Sequence, residues 1–177
     1  CIRDRHTTID WSVFKDEITN RYIWTGFNMG ANGVWSNDFP TYRVLGSEAS
    51  LSHEINSLWS LFVGVTALNS SLSNLPYAPK KSFSLGLNGV ISEYRFSFDL
   101  NHQGSMYSMT QDRGSFNPNQ VEALTVANTR LSLPMPNFGK KGEVFLLVNN
   151  LFDAKYQYNA GYPMPGRNVR IGLNASF

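Results

Sequence analysis

The chain closes on RNVRIGLNASF (167–177). Val169, Ile171, Leu173, Ala175 and Phe177 fall on one side of a two-residue period. Asn168, Arg170, Gly172, Asn174 and Ser176 fall on the other. Side chains of a strand alternate between its two faces, so this pattern predicts a strand with apolar surroundings on one face and polar surroundings on the other. Which environment supplies both is the question the remaining residues answer.

The same period recurs upstream. A first strand is predicted over 7–25, with Ile9, Trp11 and Val13 on one face; its phase blurs over 14–18, as a bulge or an extension would produce. Further strands are predicted over 42–54 (Leu45, Ala49, Leu51), 58–68 (Trp59, Leu61, Val63, Val65, Ala67) and 82–91 (Phe83, Leu85, Leu87). Tyr94, Phe96, Phe98 and Leu100 begin the next, and 123–133, 143–152 and the closing stretch complete eight antiparallel strands. The eight prolines cluster between these segments, where a residue that cannot donate to a ladder belongs. Residues 28–40 and 110–121 read as loops by composition. Short connections near 56, 92 and 138 alternate with longer ones at 28–41, 69–80, 109–122 and 157–166.

Composition narrows the environment. In 177 residues, charged side chains make up 16% and aromatic ones 14%, while mean hydropathy is only −0.26. An average soluble domain carries roughly 25% charge, and a helical membrane protein would be far more apolar. The most apolar stretch, 58–68, is well short of the ~20 residues a spanning helix needs, so no transmembrane helix is expected. A net charge of +2 without a Lys/Arg cluster gives no footprint for nucleic acid. The one cysteine, Cys1, leaves no intrachain disulfide; a mature lipoprotein also begins with Cys, but a fragment boundary is the simpler expectation for its position. His6, His53 and His102 match no metal spacing, no catalytic carboxylate pair or Ser/His/Asp set is visible, and no cofactor is implied.

A soluble β-sandwich and a membrane β-barrel both alternate. Aromatics near strand ends (Trp59, Tyr94, Phe177; Trp24, Tyr107, Tyr156) suit an interfacial girdle, and the polar faces carry few Lys or Glu, so the barrel is the expected fold. Alternating short turns and longer loops then put the carboxyl terminus on the periplasmic side. An eight-stranded barrel fills its interior with side chains, whereas Ser82, Ser84, Gly86, Asn88, Ser97, Gly172 and Asn174 are too small to do so. These residues predict part of a wider barrel. Phe62, Phe145 and Leu147 on the same inward phase predict a protein plug inside it.

One segment carries a resemblance. VNNLFDAKYQYNAGYPMPGRNVRIGLNASF (148–177) resembles the carboxyl-terminal signature of TonB-dependent outer-membrane transporters. Its elements are Asn150, Leu151, Phe152, Asp153 and Tyr156, then Gly161, Tyr162, Pro163, Pro165, Gly166 and Arg167, then the terminal Phe177. WSVFKDEITNRYI (11–23), LGSEASLS (45–52) and LPYAPKKSFSLGL (75–87) look like earlier strands of that family, so the resemblance covers essentially the whole chain. It implies the last eight or so strands of a barrel of about 22. It also implies that a plug domain and the first part of the barrel lie outside these residues.

The resemblance further implies uptake of a scarce nutrient, foremost a ferric siderophore, with haem and cobalamin as alternatives and no enzymatic activity. Its partners would be TonB acting through the plug, the missing barrel portion, the outer-membrane assembly machinery, lipid and lipopolysaccharide, and the small-molecule substrate. Ligand-contact candidates on the outer loops are Trp35, Phe39, Tyr107, Arg113, Tyr158 and Tyr162. Closure and assembly are expected of Phe177, Arg167, Gly166 and Asp153, with an Arg167–Asp153 pair across the last hairpin. A small autonomous barrel with an adhesive or structural role is the reading from another class.

Overall fold

Strands whose side chains alternate in character pair so that like faces meet, and the structure carries this across the whole chain. The computed structural model describes residues 2–19, 23–24, 35–36, 41–112, 115–135 and 142–175. In chain order the strands are β1 (Ile2–Arg3), β2 (Thr7–Ile18), β3 (Ile23–Trp24), β4 (Trp35–Ser36), β5 (Tyr42–Asn56), β6 (Trp59–Ser70) and β7 (Lys81–Ile91). Then come β8 (Tyr94–Gln103), β9 (Met106–Asp112), β10 (Ser115–Val121), β11 (Leu124–Pro134), β12 (Glu143–Asn149), β13 (Gln157–Asn159), β14 (Tyr162–Pro163) and β15 (Asn168–Asn174). Eight long strands and the two-residue β1 form one sheet in the order β1-β2-β5-β6-β7-β8-β11-β12-β15. Each long strand pairs antiparallel with its neighbours in that order.

The register keeps one apolar face continuous. Ile9 pairs with Leu51, Leu51 with Val63, Val63 with Leu85, Leu85 with Leu100, and Leu100 with Ala127. Farther along, Phe96, Leu131, Leu146 and Ile171 align in the same way. The opposite face runs Asp10–Ser50–Gly64–Ser84–Asn101. A one-residue slip anywhere would move every side chain to the wrong face. Among the described residues nothing covers much of the apolar face: Trp11 is 68% and Ile171 78% exposed.

Several boundaries differ from expectation. The first strand ends at Ile18 rather than 25, and Ile23–Trp24 pairs instead with Trp35–Ser36 inside a segment read as loop. The blurred phase at 14–18 is an extension, not a bulge, because β2 and β5 pair without a register shift from Thr7 to Ile18. There Phe14 and Ile18 turn to the polar-face side and pack on buried Tyr42 and Val44 with Leu68, Leu72 and Leu75. Residues 110–121 are not a loop: β9 and β10 form a hairpin through Val121. Pro118 lies inside β10, an exception to prolines marking connections; the ribbon has only two strands, so β10 has an edge without ladder bonds.

The turns are locally encoded. The Asn56 side-chain carbonyl accepts from the backbone N–H groups of Leu58 (2.8 Å) and Trp59 (2.9 Å), closing the β5–β6 connection. Ser92 takes φ 57° in the two-residue β7–β8 turn. Strand β12 stops at Asn149 rather than 152 because Asn150 adopts φ 51°.

The inward apolar residues meet different fates. Phe145 lies across Gly172 on the neighbouring strand, where a Cβ would collide with the ring. The Arg130 guanidinium stacks 4.2 Å above that ring, a cation–π contact. Arg130 also pairs with Glu143, whose carboxylate accepts from the Asn174 amide at 2.9 Å. The polar face therefore supplies its own cover for Phe145. Phe62 stays 42% exposed.

Candidate functional site

The long connections gather at one end of the sheet, and the last of them is held by a single side chain. Asn150 is 2% exposed. Its amide donates to the carbonyls of Ala154 (2.9 Å) and Pro165 (3.3 Å), and its Oδ1 accepts from the N–H of Ala154 at 2.8 Å. Its own N–H donates to the Asn128 side chain (2.9 Å), and Leu151 N–H donates to the Ala127 carbonyl (2.7 Å). The carboxamide thus ties the two ends of the 150–167 connection to each other, and the Asn150 and Leu151 N–H groups tie that connection to β11. Asparagine tolerates the left-handed region that this turn needs better than most residues.

Asp153, also at positive φ (55°), performs the second closure. Its Oδ1 accepts from the backbone N–H of Arg167 at 2.7 Å. The expected Asp153–Arg167 contact therefore forms through the main chain, and none of the ion pairs among the described residues involves the Arg167 guanidinium. At Gly166 a Cβ would stand 2.7 Å from Asp153 Oδ1, so the approach requires glycine. Asp153, Gly166 and Arg167 meet as one clasp.

Two hairpins stand beside it. Ser108, fully buried in β9, accepts through Oγ from the N–H of Ala160 at 2.9 Å, docking β13–β14 on β9–β10. Tyr107 receives the 71–80 loop through its carbonyl, bonded by Tyr77 N–H at 2.7 Å. Tyr158 packs edge-on against Tyr156 with ring centroids 5.5 Å apart. Partial burial, and secondarily Tyr156, push the Tyr158 phenol pKa up, so it stays a neutral donor at physiological pH. Tyr158 overhangs a cavity of about 800 Å³ on the polar face, where Asp10, Glu48, Ser84, Asn101 and Gln103 are among the lining residues. Hydroxyl, amide and carboxylate groups of this kind can hydrogen-bond a polar ligand.

Of the six loop candidates, Tyr107, Tyr158 and Tyr162 come together in the two docked hairpins, and Tyr162 is 71% exposed. Trp35 has its backbone in β4. Phe39, Arg113 and the terminal Phe177 lie outside the described residues. Tyr107 and Tyr156 sit at these loop hairpins and not on the apolar face, so neither contributes to a girdle; Trp59 and Tyr94 do lie on that face. Asn150 and Ser108, which organise this end of the molecule, were not among the candidates. In the sequence Asn150 stands out only as the first residue of the carboxyl-terminal signature, and Ser108 carries no signal.

No family model and no curated protein sequence matches the chain. Solved structures do. The ferric-catecholate import receptor Fiu from E. coli K12 superposes with a TM-score of 0.72 at 23% identity, over 98% of this chain and 26% of that one. The copper transporter OprC gives 0.72 at 15% identity, over 99% of this chain and 29% of OprC. The siderophore receptor PirA from Acinetobacter baumannii gives 0.71 at 15%, over 99% and 30%. The fold is thus that of part of a transmembrane antiparallel β-barrel, an architecture in which the apolar face meets lipid and the polar face the lumen. Within that class its fold matches part of the barrel wall of these import proteins. The chain spans roughly a quarter to a third of the length of these receptors.

Proposed function

We propose that the chain is the closing portion of an outer-membrane receptor that imports a scarce nutrient by TonB-dependent transport, a ferric siderophore first and haem or cobalamin next. The observation that carries this reading is the open, two-faced sheet. Among the described residues β15 pairs only with β12 and does not close on β1 or β2. Small lumenal residues such as Ser84 and Gly86 leave space that eight strands alone would have to fill. Further barrel strands and a plug answer both needs, and the plug is the part on which TonB would act. An autonomous adhesive barrel would instead require β15 to pair with the first strands.

The proposal is tested by growth under iron limitation of a strain carrying or lacking the full-length gene, supplied with a panel of ferric siderophores, haem and other iron sources, with a parallel cobalamin assay. Gene-dependent rescue by one source is expected. Equal growth with and without the gene on every source would overturn the uptake reading. A signal-peptide coding segment directly before Cys1, in place of plug and barrel, would favour the autonomous barrel.

Deletion of Phe177 is expected to lower insertion several-fold, read as loss of heat-modifiable gel mobility and surface yield. Unchanged yield would remove the assembly role from this residue.

A further inference from the structure

The polar face carries a second cavity, at the end of the sheet with the short turns and away from the long connections. Its volume is about 570 Å³, within the roughly 300–1,000 Å³ of ligand clefts. Two cross-strand rows run through it. In one, Ser60, Asn88, Ser97 and Arg130 align across β6, β7, β8 and β11. In the other, Arg95 of β8 stands opposite Ser132 of β11, and Ser132 opposite Phe145 of β12. Directly opposed residues on one face stand about 5 Å apart at Cβ, so Arg95 and Ser132 are neighbours.

Both are without a partner among the described residues. Ser132 is only 4% exposed, and its hydroxyl makes no hydrogen bond there. Its oxygen is not sealed off from solvent, so it opens on the cavity that Ser132 lines. It is a buried donor with nothing in the described chain to receive it. The exposed Arg95 guanidinium enters neither a hydrogen bond nor an ion pair among the described residues. Arg130 is engaged on one side only: it pairs with Glu143 and stacks on Phe145, and a guanidinium has five N–H donors to share.

Two carboxylates also line the cavity, and both are taken. Glu143 holds Arg130 and the Asn174 amide. Glu54 lies 3.4 Å from His6 Nδ1. Three inter-strand spacings separate Glu54 on β5 from β8, roughly 14 Å at about 4.8 Å each. That exceeds the screening length of about 8 Å at physiological ionic strength. Positive charge is therefore in surplus around Ser132.

We infer that Arg95 and Ser132, backed by Arg130, form a subsite for an oxyanion, the carboxylate or phosphate group of a small molecule in the lumen. A guanidinium meets such a group through two parallel N–H bonds, and the Ser132 hydroxyl donates a third from the neighbouring strand. The inference rests on the uptake reading only in that a small molecule must enter the lumen. A carboxylate from the protein's own remaining part is the rival source of the anion, and the test separates the two.

The full-length receptor in detergent is titrated calorimetrically with inorganic phosphate, with succinate and with succinamide, the neutral counterpart of succinate. Heat-modifiable mobility confirms a folded barrel for every variant. Wild type is expected to bind at least one oxyanion and not succinamide, and the tighter of the two names the group preferred. Arg95→Gln should weaken that binding about tenfold or more, as loss of a charged hydrogen-bond partner does, and Ser132→Ala about fivefold. Arg95→Lys keeps the charge without the paired donors and should fall between Arg95→Gln and wild type. Arg5→Gln, at the same end but outside the cavity, should leave binding unchanged. Equal affinity in wild type and Arg95→Gln would overturn the site. Absence of phosphate and succinate binding to wild type, as when a side chain of the protein's remaining part fills the place, would overturn the small-molecule occupant. Binding is read without transport, so failure of the uptake proposal in the growth assay remains visible independently.

Discussion

Replacing Asn150 by alanine is expected to destabilise the inserted barrel by about 3–5 kcal/mol, on the scale of losing several buried hydrogen bonds together. The substitution strips partners from the Ala154 N–H and from the Ala154 and Pro165 carbonyls, bonds made by a side chain whose residue is only 2% exposed. It also places a Cβ-bearing residue without a compensating side-chain bond at φ 51°, adding about 1 kcal/mol of backbone strain. Two companions separate these contributions. Asn150→Gly relieves the strain but restores no bond, so it should recover about 1 kcal/mol of the loss. Asn150→Asp keeps the acceptor for Ala154 N–H and loses the donor, so it should fall between glycine and wild type. Urea titration of the full-length barrel in lipid vesicles reads all three. A loss under about 1 kcal/mol for Asn150→Ala would mean the last loop is held by other contacts.

A second large effect separates the two faces of one strand. Leu100 and Asn101 are adjacent in β8; Leu100 sits in the apolar row between Leu85 and Ala127, and Asn101 sits in the polar row beside Ser84. Leu100→Arg is expected to cost about 2–4 kcal/mol, as arginine does near the bilayer midplane on a barrel's lipid face. Asn101→Arg reaches the aqueous lumen and should change stability by less than about 1 kcal/mol, within the usual range of exposed substitutions. The contrast is read as urea midpoints in vesicles and as surface yield in cells. Equal costs would contradict a sheet with lipid on one side and an aqueous lumen on the other. The pair also tests the register, because a one-residue slip in β8 would invert the result.

How much of this could be read beforehand depended on how far each signal reaches along the chain. The rows through Leu85, Leu100 and Ile171 were legible because alternation is local, and a lipid face imposes it on every strand. The β9–β10 hairpin was not. Neither of its strands faces lipid, so 110–121 has loop composition although its backbone is paired through Val121. The clasp was half legible: the Asp153, Gly166 and Arg167 motif was visible, but its bond was expected between side chains and runs to the Arg167 main chain. Ser108 looked like any polar residue in a polar stretch, because its partner Ala160 arrives from 52 residues away.

The outward face shows the same division: Ser47, Ala49 and Ala67 are unremarkable on their own strands, and only the pairing of β2, β5, β6 and β7 sets them between Trp11 and Phe83. By itself the sequence determined that eight strands alternate, and it set the expectation that one face meets lipid and that the lumen is wider than eight strands fill. Those properties follow from residue size and polarity repeated at a period of two. The tertiary structure alone decided which residue locks the last loop and which rings lie against glycine. These depend on contacts between residues tens of positions apart, and no local period encodes them.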